Sequence, residues 1–392
     1  SPMGVTGFIA GRLRFRGNVA VISIALSFLV MIIAVSVSSG FRKEIRDALS
    51  SAAGDIQLVP SDLDWLSGNS PIGSHPSYLP YIDSIRGVKS VSPVVYRAGI
   101  VRNDDVVHGV LFKGVEDFHA PDSVSLAVSI PSRLSDILSV GTGDSFQAYF
   151  VGERVKVRKF TVTEVHEDLA EADDRLVVYC RLADIRRVNG WTEDEVSAFE
   201  IRLDEALRTE SGMDAVAREA GAAALLYASD DDPPVVSVST AEANPQLFDW
   251  LSLIDFNVLV ILVLMTVVAG FNMISGLLIL LFENISTIGI LKSMGMTDGA
   301  IVKVFLRTSS VIVLKGMAAG NLLAFLFCLI QGSTHLIALD PSNYFISYVP
   351  VHLQTLKILA ADAAAYIVIM LLLLLPSMFI SRIDPAKTVR MS

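Results

Sequence analysis

The chain has 392 residues, 52% of them apolar, and carries 41 acidic against 31 basic side chains for a net charge of −10. Its mean hydropathy is +0.55, and a chain this apolar and this acidic is neither a plain cytosolic enzyme, a basic nucleic-acid binder nor a disordered tail. The charge is segregated, −16 over residues 40–255 and +6 over the rest, so an acidic soluble domain sits inside a basic, apolar frame.

Residues 1–17 read as a short N-terminal segment bearing Arg12, Arg14 and Arg16. Residues 18–39 follow with 22 residues and no charge, enough to cross about 30 Å of hydrocarbon. The apolar run is too long for a signal peptide and runs on into Phe41-Arg42-Lys43-Glu44, so it reads as a retained anchor. Helical character is expected to continue through 41–53, and 55–59 alternates like a strand. Residues 91–101, 106–115 and 155–165 are rich in β-branched side chains and separated by turn signals at 103–105 and 141–144. Helix starts are expected at 131–138 and 192–196, and 211–224 is an Ala-rich helix. Asp230-Asp231-Asp232-Pro233-Pro234 is a solvated turn, and 246–253 leads helically into the second span.

The second span is 256–282, the third 308–330 with Lys315 inside it, and the fourth 363–381 with Pro376 as a kink near its end. Between them lie 283–307 and 331–362, and 382–392 forms the tail. The predicted fold is an integral membrane protein of four transmembrane helices with a large α+β extracytoplasmic domain, 40–255, inserted between the first two. Lys and Arg in short loops set orientation: the first segment, the 283–307 loop (Lys292, Lys303, Arg307) and the tail (Arg382, Lys387, Arg390) outweigh Lys357 alone in 331–362. Both termini and 283–307 are therefore expected in the cytoplasm, with 40–255 outside.

No Gly-Lys dipeptide occurs, so there is no phosphate-cradling loop, and no HExxH, CxxC or GxSxG motif is present. The six histidines are scattered, His166-Glu167-Asp168 reads as a polar strand end, and Cys180 and Cys328 read as free thiols. No catalytic residue, metal site or bound cofactor is expected.

The informative stretch is 283–307. Ile285, Ile288, Leu291 and Met294 recur at helical spacing, with Glu283 and Lys292 on the polar side. Gly295 ends that helix and Thr297-Asp298 can cap the next. The result is a short amphipathic helix at the cytoplasmic face, either a membrane-surface connector or a docking helix for a partner. In the spans, Gly316 and Gly320 form a GxxxG that permits close helix approach, within one subunit or across a dimer. Asn272 calls for an interhelical hydrogen bond, and Lys315 for snorkelling or a structural pair.

The segment 283–295 (ENISTIGILKSMG) resembles the coupling-helix signature of FtsX-type ABC transporter permeases, E-(K/R)-x-x-(D/E)-I-x-(I/L)-L-(K/R)-x-(M/L)-G. Residues 8–13, 38–41, 55–58, 269–275, 344–351 and 384–390 resemble the lipoprotein-releasing, LolC/LolE-type branch in the same order along the chain. Asn284 and Thr287 depart from it by lacking charge.

The resemblance implies a MacB/FtsX-type periplasmic core and an inner-membrane protein of a Gram-negative bacterium. It implies a permease subunit that extracts lipoproteins from the outer leaflet and releases them toward a periplasmic carrier, by mechanical relay and without a through-channel. Glu283, Ile288, Leu291, Lys292, Met294 and Gly295 would couple to a cytoplasmic ATPase dimer. ATP and magnesium would be used by that partner, not held by this chain. The other partners implied are a second permease subunit, identical or paralogous, the lipoprotein itself, and a periplasmic lipoprotein chaperone. The hairpin that would recruit the chaperone, turning at Gly152, Glu153 and Arg154, is short here. Leu29, Ile33, Val37, Val258, Ile261 and Met265 would touch acyl chains or simply face lipid. Other readings are a MacB-like exporter component, an FtsX-like division regulator, and a non-transporting membrane sensor or scaffold.

Overall fold

Each apolar run flanking the acidic domain folds as a helix that outlasts its apolar stretch. The computed structural model describes residues 18–377 except 63–64, 122–123, 153, 167–175, 341–343 and 345. The expected segments 1–17 and 382–392, the hairpin residue Glu153 and the pair Glu167-Asp168 therefore lie outside the described residues. The chain forms two compact units, one containing 44–250 and 339–347, the other containing the remaining helices. Helix α1 (Asn18–Ala53) contributes to both and is unbroken across Gly40. A Cβ at Gly40 would overlap the backbone of Pro350, so glycine there serves close packing.

In the first unit, β1 (Ile56–Pro60) follows α1, and β2 (Ile72–Gly73) and α2 (Leu79–Asp83) come next. Strands β3 (Val88–Asn103) and β4 (Val106–Val115) form a hairpin, followed by β5 (Ala127–Pro131) and α3 (Ser132–Leu138). Then come β6 (Ser145–Phe150), β7 (Lys156–His166), β8 (Val177–Arg181) and α4 (Leu182–Asn189). The unit ends with β9 (Glu195–Val196), β10 (Ala198–Leu203), α5 (Glu210–Tyr227), β11 (Val235–Ser239) and α6 (Thr240–Ala243).

The main sheet runs β11-β1-β10-β3-β4-β8-β5-β7-β6, and β6 also pairs with β3. Strands β3, β4, β8, β5, β7 and β6 thus close on themselves and leave no open edge among them. Phe112, Phe146, Phe150 and Phe160 are fully buried and pack against one another in this ring, mostly in tilted and edge-on pairs. β1 and β11, the strands nearest the two connections to the membrane spans, are paired antiparallel from Ile56↔Ser239 to Pro60↔Val235.

The helix start expected at 192–196 is instead a turn. The amide and hydroxyl of Thr192 donate to the Glu195 carboxylate, at 2.6 and 3.0 Å, and Val196 pairs with Ile72. The cap-like Thr-x-x-Glu sequence closes a single turn because the apolar residues that follow, Ala198–Leu203, alternate as a strand.

In the membrane unit, α7 (Pro245–Glu283) is followed by α8 (Ile285–Ser293), α9 (Asp298–Thr334), α10 (Thr355–Leu372) and α11 (Leu374–Ser377). Among the described residues, four helices are long and apolar enough to cross a membrane. Ile24, Phe28 and Met31 of α1 share one core with Met273 and Leu277 of α7, Phe305 and Val313 of α9, and Ile369 of α10. The fourth helix begins at Thr355, eight residues before the expected 363, and carries Asp362 into the bundle. It breaks at Leu373, upstream of Pro376, which has no N–H to offer the preceding turn.

Candidate functional site

The α7–α9 connection is built around its glycine. Gly295 takes φ +89°, its amide donates to the Lys292 carbonyl, and the Met296 amide donates to Leu291, so α8 ends in a Schellman motif. Thr297 sits at the N-cap of α9 in extended backbone, but its side chain makes no capping bond. Asp298 instead pairs with Lys292 at 2.9 Å and fastens α8 to the first turn of α9. At the other end, Asn284 donates to the Leu280 carbonyl at 2.8 Å.

The expected apolar stripe does not share one face. Ile288 is buried in the bundle core, Ile285, Leu291 and Lys292 are half-buried, and Met294 is 78% exposed. Six residues separate 288 from 294, a rotation of about 240°, so one turns inward as the other turns out. The outward face is Glu283, Thr287, Ile290 and Met294. Apolar spacing alone does not separate Ile290 from its neighbours.

The packing residues are placed by contacts. Asn272 donates to the hydroxyl of Ser23 at 2.5 Å, joining α7 to α1. A Cβ at Gly316 would lie 2.6 Å from Ile24, and one at Gly320 would lie 2.9 Å from Phe28, so the GxxxG faces α1 of the same chain. Lys315 is exposed. Leu29, Ile33, Val37, Val258, Ile261 and Met265 are all half-buried, and the open face of α7 is Phe256, Leu259, Val260, Val263 and Leu264. The β6–β7 hairpin turns through Gly152 and Arg154, both exposed, and the Val151 carbonyl accepts from Arg97 at 2.7 Å.

Several polar clusters carry no local sequence signal. Asp255 of α7 accepts from Ser38 at 2.5 Å and pairs with Arg42, both on α1. Asn321 of α9 donates to Asp362 of α10 at 2.5 Å.

In the sheet unit, Lys113 of β4 is 2% exposed and donates to the Glu200 carboxylate at 2.8 Å and to the Ala52 carbonyl at 2.7 Å. Tyr96 donates to the other oxygen of Glu200. Burial pulls the Lys113 ammonium below its ordinary value, and the Glu200 charge opposes that shift. Asp55, also buried, accepts from Ser50 at 2.7 Å, from the Leu203 amide at 2.8 Å and from Arg208 at 2.9 Å. Lys113 and Glu200 betray themselves only as charges set in apolar strands.

His166 meets Ser129 at 2.8 Å and stacks edge-on with Tyr179. Burial pulls its imidazole below the ordinary value, against the Glu164 charge.

Among the described residues, four helices long and apolar enough to cross a membrane, with a sheet unit inserted in sequence between the first two and a short fastened helix between the second and third, define a polytopic membrane protein. The chain belongs to the family that carries a MacB-like periplasmic core domain, whose pattern matches residues 19–220, and residues 259–385 match the FtsX-like permease C-terminal pattern. The lipoprotein-releasing system transmembrane protein LolC of Xylella fastidiosa is 25% identical to it over 97% of this chain and 95% of its own length. LolC of Neisseria meningitidis is 24% identical over 97% and 95%, and LolE of Haemophilus influenzae is 21% identical over 93% and 92%.

Proposed function

We propose that this chain is the permease subunit of an ATP-driven complex that lifts lipoproteins from the outer leaflet of the inner membrane and passes them to a periplasmic carrier. The observation that carries this reading is the end-to-end similarity to lipoprotein-releasing LolC and LolE proteins, which spans the membrane helices and the sheet domain together. A cytoplasmic ATPase dimer hydrolyses ATP with magnesium, and a second permease subunit completes the membrane part. The ATPase docks on the outward face of α8 through Ile290 and on Met294 just beyond it, beside Glu283 at the end of α7.

Energy input follows from lipid chemistry. Each buried methylene is worth about 0.8 kcal/mol, so an acyl chain resists leaving the bilayer unless it moves into another apolar surface. Half-buried Leu29, Ile33 and Val37 of α1 and Val258, Ile261 and Met265 of α7 are the proposed acyl-contacting side chains. Displacement of α8 reaches the sheet domain through the continuous helices α1 and α7.

The test is lipoprotein release from spheroplasts to an added carrier on depletion of the chain. Release should stop and lipoproteins should accumulate in the inner membrane; unaltered release would overturn the reading.

A further inference from the structure

The last turn of α1 is fixed in the sheet unit more heavily than a helix end requires. A helix leaves its final carbonyls without partners, and water or a glycine cap usually suffices. Here Gly54 (φ +74°) turns the chain, and its amide donates to the Ser50 carbonyl at 2.7 Å. The Ala52 carbonyl then accepts from Lys113, a lysine drawn from β4 and held by Glu200 of β10 and by the ring faces of Tyr96 and Tyr179.

A Cβ on Gly54 would sit 3.0 Å from the Glu200 Cβ, so helix end and strand are also in steric contact. Opposite, Asp55 is locked by Ser50, Arg208 and the Leu203 amide, and Arg208 reaches back to Asp47 of α1 at 3.0 Å. Thr240 stitches the same turn to the start of α6, its hydroxyl to the Gly54 carbonyl at 2.6 Å and its amide to the Asp55 carbonyl at 2.9 Å.

Burying ammonium and carboxylate groups contributes little net stability, because desolvation offsets the attraction. What such a cluster does supply is a fixed geometry: the bonds hold only if helix, β4 and β10 keep their spacing. A stiff joint is what a helix needs if it is to move a domain rather than slip against it.

We infer that the Lys113–Glu200–Ala52 and Asp55–Arg208–Asp47 clusters are the joint through which α1 drives the sheet domain, with Lys113, Glu200, Asp55 and Arg208 as positioning residues. The inference rests on the relay reading above and names where in the chain that relay is made.

The experiment uses the full chain with its ATPase and second subunit in lipid discs, and measures ATP hydrolysis, lipoprotein released per ATP, and amide exchange over residues 48–58. The double variant K113M/E200L removes both buried charges and leaves apolar side chains of similar volume. It should assemble and hydrolyse ATP, exchange faster over 48–58, and lose most of its lipoprotein release per ATP.

The exchanged pair K113E/E200K restores the opposite charges, but a carboxylate at 113 cannot donate to the Ala52 carbonyl, so it too should be uncoupled. A pair with a merely structural role would make that variant behave like the wild type. R208K keeps the charge and loses the two-sided grip on Asp55 and Asp47, giving a milder loss that remains measurable if the buried variants do not fold. Faster exchange with an unchanged release-to-ATP ratio, or a wild-type ratio in R208K and in the exchanged pair, overturns the inference. Wild-type complex that hydrolyses ATP and releases no lipoprotein would instead sink the proposed function.

Discussion

Gly316 and Gly320 set how closely α9 approaches α1. At Gly320 the nearest atoms to an added Cβ include the Ala25 carbonyl as well as Phe28, and backbone cannot step aside as the tip of a side chain can. Gly320→Ala should therefore cost about 1–3 kcal/mol by overpacking and lower the thermal midpoint of the purified chain in detergent. His166 gives a second single-residue prediction. Burial sets its folded pKa below the unfolded value of 6.5, so the unfolded state binds more proton in the window between them. That contribution to stability is complete above 6.5 and is lost as pH falls through the window. Amide protection factors in β5 and β7 of the full chain, with the pH dependence of intrinsic exchange divided out, should fall on acidification, and H166Q should flatten that dependence. An H166Q profile matching the wild type would mean that another group controls it.

The element that best separates what a sequence displays from what only packing decides is α8. Its existence, its end at Gly295 and the following helix are all local patterns, and the structure contains each of them. Which side of it faces the bundle depends on the angle at which α7 and α9 enter, and no local spacing encodes that. Ile288 and Met294 accordingly have opposite roles. Ile288→Ala should open a cavity in the bundle and cost about 2–5 kcal/mol of stability. Met294→Arg should leave the thermal midpoint near wild type, because the side chain is 78% exposed. If the outward face docks the ATPase, Met294→Arg should abolish copurification of that partner. Retention of the ATPase by Met294→Arg would remove Met294 from the docking surface.

The same distinction applies in the sheet unit. The β3–β4 hairpin and the strand leaving α1 are visible from alternation and turns. The ring closure of β6 onto β3, and the pairing of Lys113 with Glu200, join positions roughly 45 and 87 residues apart, which periodicity cannot register.

At the scale of the whole molecule, the strand order places β1 beside β11, so the chain's way into the sheet unit and its way out are adjacent and hydrogen-bonded. In the relay proposed above, displacement from α1 and α7 would enter the sheet unit at that one two-stranded site. That relay requires α8 and the sheet unit on opposite sides of the membrane, as the basic side chains of 283–307 against the lone Lys357 of 331–362 predict. The two native cysteines make this testable without removing them. Cys180 and Cys328 are both buried, and burial also pushes the Cys180 thiol up, keeping it protonated and unreactive. Exposed Val107 on the β3–β4 hairpin and exposed Ser293 at the end of α8 can then each carry a single added cysteine. In intact spheroplasts an impermeant maleimide should label Val107→Cys and leave Ser293→Cys untouched, and permeabilisation should expose the latter. Labelling of Ser293→Cys before permeabilisation would put α8 on the outer face, and with it fall both the docking of an ATPase there and the relay from it to the sheet domain.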